Sequence, residues 1–267
     1  MATSLDQLFA KVRAENRAAL IAYIPAGFPS IEGCHKAIKA LVAGGVDAIE
    51  IGFPYSDPVM DGPIIQAAAE RSLSQGTGAS DVFAALKCAT DAGVSAVVMT
   101  YWNPIEKYGV DEFAQSISEN GGSGVITPDL TIEESERWSE AAHAHKINRI
   151  YVVAPSTNDG RLEKVTSQCS GFVYVASLMG VTGTRTSISS GAGDLVARVR
   201  KVTDLPLAVG LGVSNRVQAK EVAHYADGVI VGSAFIKCLV EAENEAQGLE
   251  AITELAKELS KGVREGR

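Results

Sequence analysis

The sequence predicts an α/β chain folded as a single (β/α)8 barrel over residues 1–267, with an extra N-terminal helix and extra helices in the βα loops. Three observations predict it. Eight apolar runs of strand type alternate with eight amphipathic stretches. Such alternation implies right-handed βαβ units and a parallel sheet, and eight units in about 240 residues suit a closed TIM barrel. No linker-like or low-complexity stretch divides the chain, and the turn after the first strand, Y-I-P-A-G-F-P-S, lacks the G-x-G-x-x-G pattern of an open doubly wound sheet.

The elements follow in order. Leu5–Ala14 is the extra helix ahead of the barrel. Strand one, Leu20–Ile24, leads to a helix over Ser30–Ala43, where Ser30 with Glu32 gives the start signal. Strand two, Ala48–Gly52, is followed by helices over Ile64–Ser74, with Pro63 at its start, and over Asp81–Ala92. Strand three is Ala96–Thr100 and its helix Val110–Asn120; strand four is Gly124–Thr127 and its helix Ile132–His145, opened by Thr131 with Glu133 and Glu134. Strands five to seven are Ile150–Val153, Phe172–Ala176 and Leu207–Gly210. Their helices are Arg161–Gln168, Ala192–Val202 and Asn215–His224, the last capped by Ser214. Strand eight, Gly228–Val231, runs into a short helical stretch, and Glu243–Lys261 ends the set.

Composition narrows the function classes. Apolar residues make up 46% and charged residues 21%, which suits a large core and not disorder. The net charge is -8, no basic run occurs, and aromatic residues are 6%, so nucleic acid is not the expected partner. An anion site here must rely on backbone N–H groups more than on Lys or Arg. Cys34, Cys88, Cys169 and Cys238 are widely separated and read as reduced packing residues. M-A-T-S-L-D-Q-L lacks a basic region and an apolar stretch, so no signal peptide is expected. No apolar run reaches the ~18 residues of a membrane span, and a soluble, cytoplasmic protein is expected.

The segment I-E-I-G-F-P-Y-S-D-P-V-M-D-G-P, Ile49 to Pro63, carries the chemistry. It sets Glu50 inside an apolar strand and Asp61 in the loop that follows. Burying a carboxylate is costly unless it has partners or a task. Two carboxylates near one strand end suggest acid–base work. Alternation along the strand puts Ala48, Glu50 and Gly52 on one face and Ile49, Ile51 and Phe53 on the other. The smaller set should line the barrel, so Glu50 points inward near the C-terminal rim, where barrel enzymes build their sites. The same count points Tyr174 inward, and Tyr23 shares a face with Ile21. Bland readings stand beside these. Glu50 could be a structural acid paired with Lys or Arg, although no inward Lys or Arg is evident on the candidate strands. Asp61 could be a turn residue before Pro63, and the two tyrosines could be core packing.

Three glycine-bearing turns follow the last three strands: Gly180–Thr184, Val209–Ser214 and Val231–Phe235. Barrels often bind phosphate with the loops after strands seven and eight and an extra helix N-terminus. Ser233 can add a hydroxyl donor. No metal-ligand cluster is evident, and His143 and His145 read as surface residues of a helix.

Together these motifs resemble the tryptophan synthase α subunit family, indole-3-glycerol-phosphate lyases of (β/α)8 fold. The resemblance runs through Y-I-P-A-G-F-P, E-I-G-F-P-Y-S-D-P-V-M-D-G-P-I-I-Q, T-Y-W-N-P, T-P-D-L, A-P-S-T, Y-V-A-S-L-M-G-V-T-G, G-L-G-V-S and V-G-S-A-F. It implies retro-aldol cleavage of indole-3-glycerol phosphate to indole and glyceraldehyde 3-phosphate, without cofactor or metal. By resemblance Glu50 and Asp61 are catalytic. Glu50 moves protons at indole C3 and at the glycerol hydroxyl, and Asp61 accepts the indole N–H. Tyr23 and Tyr174 match positions beside the indole. Gly183, Gly212, Gly232 and Ser233 match phosphate contacts, and Thr182 matches a mobile-loop residue that reaches the catalytic Asp. The implied partner is a β subunit that carries pyridoxal phosphate in an α2β2 complex and receives the indole. Pro54–Met60 and T-Y-W-N-P match partner-facing loops. Thr131 stands where the family commonly has proline, which bears on loop dynamics or partner signalling and not on the chemistry. A stand-alone lyase, another phosphate-binding barrel isomerase and a non-catalytic regulatory barrel remain the alternatives.

Overall fold

The computed structural model of the protein describes residues 3–176, 190–210 and 212–267. Among them nine strands form one parallel sheet: β1 (Ala19–Pro25), β2 (Ala48–Gly52), β3 (Ser95–Met99), β4 (Gly124–Ile126), β5 (Asn148–Ile150), β6 (Val152–Val153), β7 (Val173–Ala176), β8 (Leu207–Gly210) and β9 (Gly228–Val231). Their order is β5-β4-β3-β2-β1-β9-β8-β7-β6. The two ends of that order are consecutive in the chain and separated only by Tyr151, so the sheet closes into a barrel. The expected fifth strand is therefore two short ones. β5 pairs with β4 and β6 with β7, and Tyr151 is where the chain changes neighbour. The Ile150 carbonyl accepts from Thr127 N at 3.2 Å and the Tyr151 carbonyl from Tyr174 N at 3.1 Å.

Side-chain alternation then sorts the core into two layers. Ile21, Tyr23, Val97, Met99, Ile126, Ile150 and Ile230 pack inside the barrel. Leu20, Ile24, Ile49, Ile51, Val98, Val173, Val175 and Val209 pack outward against the helices. The Ile49–Ile51 face lies outward, as the pattern of β2 requires, which leaves Glu50 inside.

The end of the barrel where the strands begin is closed by α1 (Ser4–Ala14). Its first turn is fixed by a reciprocal cap: Thr3 Oγ1 accepts from Asp6 N, and Asp6 accepts from Thr3 N at 2.8 Å. Leu5, Phe9 and Val12 join the interior core, and the Phe9 and Phe172 rings lie 5.7 Å apart. Two acids staple the same end. Asp47 accepts from Leu20 N and takes Arg17 in a two-point bond (2.8 and 2.9 Å). Asp227 accepts from Leu207 N and pairs with Arg200 and Arg267.

Several helix starts differ from the sequence pattern. The cap of α10 (Arg216–Ala223) is Asn215, whose side chain accepts from Gln218 N; Ser214 donates to the Gln218 side chain from one residue further out. Thr131 opens a separate turn, whose Glu133 pairs with Arg161, and α7 (Glu136–Ala144) begins five residues after Thr131. α8 (Asp159–Gln168) begins earlier than its pattern, capped by Asn158. A helix missing from the pattern, α5 (Trp102–Tyr108), follows β3. His143 is exposed, whereas His145 is half-buried with Nε2 3.1 Å from Asp111. The four cysteines are free thiols.

Because Phe9 fills the closed end, Phe9→Ala should lower stability by about 3 kcal/mol in urea unfolding while leaving the fold of the barrel, read by circular dichroism, unchanged.

Candidate active site

The opposite rim, where the strands end, holds the polar residues. β1 and β2 pair so that Tyr23 stands beside Glu50, and β2 and β3 set Glu50 beside Val97. Glu50 is 1% exposed, and its Oε2 has no hydrogen-bond partner among the described residues. Its ion-pair alternative fails: Glu50 makes no salt bridge with a described residue. Asp61 arrives on the loop from β2 to α3 (Pro63–Ser74). The Asp61 carboxylate does not cap α3, since Gly62 is the N-cap and no side chain caps that helix. The Asp61 backbone is fixed instead, its carbonyl accepting from Gln66 Nε2 at 2.8 Å.

A cavity of about 130 Å³ lies between these groups, and Tyr23, Glu50, Asp61, Tyr174, Gly212, Gly232 and Ser233 all line it. Seven residues singled out in the sequence thus meet in one place. Thr182 and Gly183 lie outside the described residues. Met60, Ile65, Met99 and Ile230, none of them a candidate site residue, supply apolar walls.

Glycines make the ring positions possible. A Cβ on Gly52 would collide with the Tyr23 hydroxyl, and a Cβ on Gly210 with the Tyr174 hydroxyl. Gly212 adopts φ +66°, a left-handed conformation that glycine takes without strain. Gly232 is the N-cap of α11 (Ser233–Glu241), so the first N–H groups of that helix, left without intrahelical acceptors, and the Ser233 hydroxyl face the same mouth.

The electrostatics separate the two carboxyls. Burial, reinforced by the nearby charge of Asp61, pushes Glu50 up to about 8 from an ordinary 4.5. Burial raises Asp61 as well, but the Tyr101 hydroxyl beside it opposes the push. The Tyr23 and Tyr174 phenols are driven well above the usual range, by burial first and then by the two carboxylates, so both stay neutral donors.

Tyr101, within T-Y-W-N-P, is a neighbour of Asp61 that the candidate residues leave out. Its hydroxyl accepts from Val59 N (3.0 Å) and Met60 N (3.1 Å), and its ring stacks on Tyr55 with centroids 5.1 Å apart. The signal was available: Val97 and Met99 face inward on β3, so Tyr101 continues the inward parity. Among the described residues no group of three or more His, Cys, Asp or Glu is placed to hold a metal ion.

The profile of the Tryptophan synthase alpha chain family matches residues 9–264. The tryptophan synthase alpha chain of Streptomyces avermitilis is 55% identical over 263 residues, covering 98% of this chain and 95% of that one. That of Thermobifida fusca is 53% identical, covering 98% of each. A solved structure of Mycobacterium tuberculosis tryptophan synthase superposes with a TM-score of 0.92 at 48% identity, covering 99% of both chains. The alpha subunit from Legionella pneumophila gives 0.88 at 32% identity, covering 98% of this chain and 99% of that one.

Two outcomes follow from this geometry. Gly210→Ala should lower kcat/KM by pushing the Tyr174 ring into the cavity, and adding Tyr174→Phe should restore much of the loss, since the next ring atom lies 3.0 Å from the new methyl. The second concerns pH. Folded Glu50 holds its proton more tightly than the unfolded chain does, so its contribution to stability is complete below about pH 4.5 and is lost as pH rises through about 8. Thermal unfolding should therefore show Glu50→Gln gaining on the parent protein across that window, with the gap constant above it.

Proposed function

The chain belongs to the tryptophan synthase alpha chain family, and from that premise we propose that Glu50 and Asp61 carry its chemistry. The enzyme is a lyase that cleaves indole-3-glycerol phosphate to indole and glyceraldehyde 3-phosphate. With its pKa near 8, Glu50 is mostly in the acid form at neutral pH. It gives that proton to indole C3, and the ring becomes an iminium whose N–H rests on the Asp61 carboxylate. The Glu50 carboxylate then takes the proton of the glycerol hydroxyl adjoining the ring. As that hydroxyl becomes the aldehyde carbonyl, the carbon–carbon bond breaks and its electron pair returns to the ring. One proton has moved from oxygen to carbon, and Glu50 is again an acid. A group with a pKa near the working pH can serve in both directions.

In this reading Tyr23 and Tyr174 flank the indole, while Gly212, Gly232 and Ser233 hold the phosphate. Thr182 and Gly183 are assigned by resemblance to a lid contact and a phosphate contact. Residues 1–267 act as one barrel domain that needs no cofactor of its own. A β subunit bearing pyridoxal phosphate takes the indole within an α2β2 complex. The apolar tip of the Pro54–Met60 loop supports a docking role there, with Val59 76% exposed beside Met60. A cytoplasmic location fits this biosynthetic role; no helix among the described residues is long and apolar enough to cross a membrane.

The observation that carries the proposal is a buried carboxyl without a counter-ion, facing a cavity that Asp61 shares. Glu50→Gln should fold normally and release indole from indole-3-glycerol phosphate about 10²–10⁴-fold more slowly. Near-normal turnover by the purified variant would end the assignment.

A further inference from the structure

The T-P-D-L motif after β4 is not used by the mechanism above, yet its acid is not idle. Asp129 places both carboxylate oxygens on one donor, Trp102 N, at 3.0 and 3.1 Å. Trp102 is the first residue of α5, and its N-cap residue is Tyr101, which offers no capping side chain. A helix start has unpaired N–H groups and a partial positive charge, both of which a carboxylate satisfies. Asp129 thus caps α5 from a neighbouring loop.

The capped residue adjoins Tyr101. The two lone pairs of the Tyr101 hydroxyl receive Val59 N and Met60 N, so its single proton remains for an acceptor. Asp61 is the next residue along that loop. The chain of contacts runs from Asp129 to Trp102 N, through the adjoining Tyr101 to the Val59–Met60 backbone, and so to the carboxylate that faces the cavity.

We propose that Asp129 is a positioning residue for the lyase reaction: by capping α5 in place of Tyr101 it fixes the Tyr101 hydroxyl, and through it the loop that presents Asp61. The inference rests on the reading of Asp61 as the group that holds the indole N–H. It goes beyond that reading in assigning a residue that touches neither substrate nor catalytic carboxyl.

The test compares Asp129→Ala, Asp129→Asn, Tyr101→Phe, the Asp129→Ala/Tyr101→Phe pair and Asp61→Asn in the full chain, by indole release. Because misplacing a reacting group by about 1 Å can cost up to 10²-fold, Asp129→Ala should lower kcat about 10- to 100-fold with a much smaller change in KM. Asp129→Asn keeps an oxygen acceptor for Trp102 N and should recover most of the rate. Adding Asp129→Ala to Tyr101→Phe should cost little more, because both act through one hydroxyl. A loss of rate that Asp129→Asn does not relieve, or full additivity with Tyr101→Phe, would overturn the inference. So would wild-type kcat in Asp129→Ala beside an inactive Asp61→Asn. Wild-type kcat in Asp61→Asn would instead remove the catalytic reading beneath it, and the inference with it.

Discussion

The structure depends on a carboxyl group buried without a counter-ion. Three acids lie in or next to strands of this barrel, and the contrast among them is informative. Asp47 and Asp227, at the closed end, are held by Arg17 and by Arg200 and Arg267. Glu50, at the open end, is buried more deeply than either and has no such partner. Removing a charge from water without compensation is expensive, and the cheaper state is the protonated one. Asp61 pushes in the same direction, since a second negative charge nearby further disfavours ionisation. Burial thus pushes both carboxyls up, and at Asp61 the Tyr101 hydroxyl opposes that push, so the two are set apart by environment and not by residue type.

Keeping Glu50 buried is a demand on the whole barrel. The ring must close, which it does through Tyr151, and the far end must be sealed, which α1 does with Leu5, Phe9 and Val12. The open end must admit two phenol rings without filling. Gly52 and Gly210 leave that room, because any side chain there would strike a tyrosine hydroxyl. Gly212, Gly232 and Ser233 line the same cavity as the carboxylates, and the start of α11 brings backbone N–H groups to that rim in a chain whose net charge is -8.

Much of this was legible in the sequence, for a definite reason. A period of two in β2 fixed the inward direction of Glu50, and the count of strand and helix patterns fixed a barrel. Seven candidate residues line one cavity because barrel strands deliver their ends to one rim. What was not legible depends on contacts between distant segments. Thr131 opens a turn instead of a helix, and Glu133 within that turn pairs with Arg161 nearly thirty residues on, a contact no local pattern encodes. The break at Tyr151 reflects barrel closure, a property of the ring as a whole. α5 was hidden because its start carries no capping residue of its own; the cap, Asp129, lies 27 residues away. Tyr101 was within reach of the alternation rule, but only once β3 was counted as β2 had been.

The most direct measurement is the titration of the Glu50 carboxyl itself, followed by carbon-13 nuclear magnetic resonance with Glu50→Gln to assign the signal. An inflection near 8 in the ligand-free protein, moving down when Asp61 is replaced by Asn, is the expected result. An inflection at the ordinary 4.5 of a solvated glutamate, unmoved by that replacement, would contradict the account.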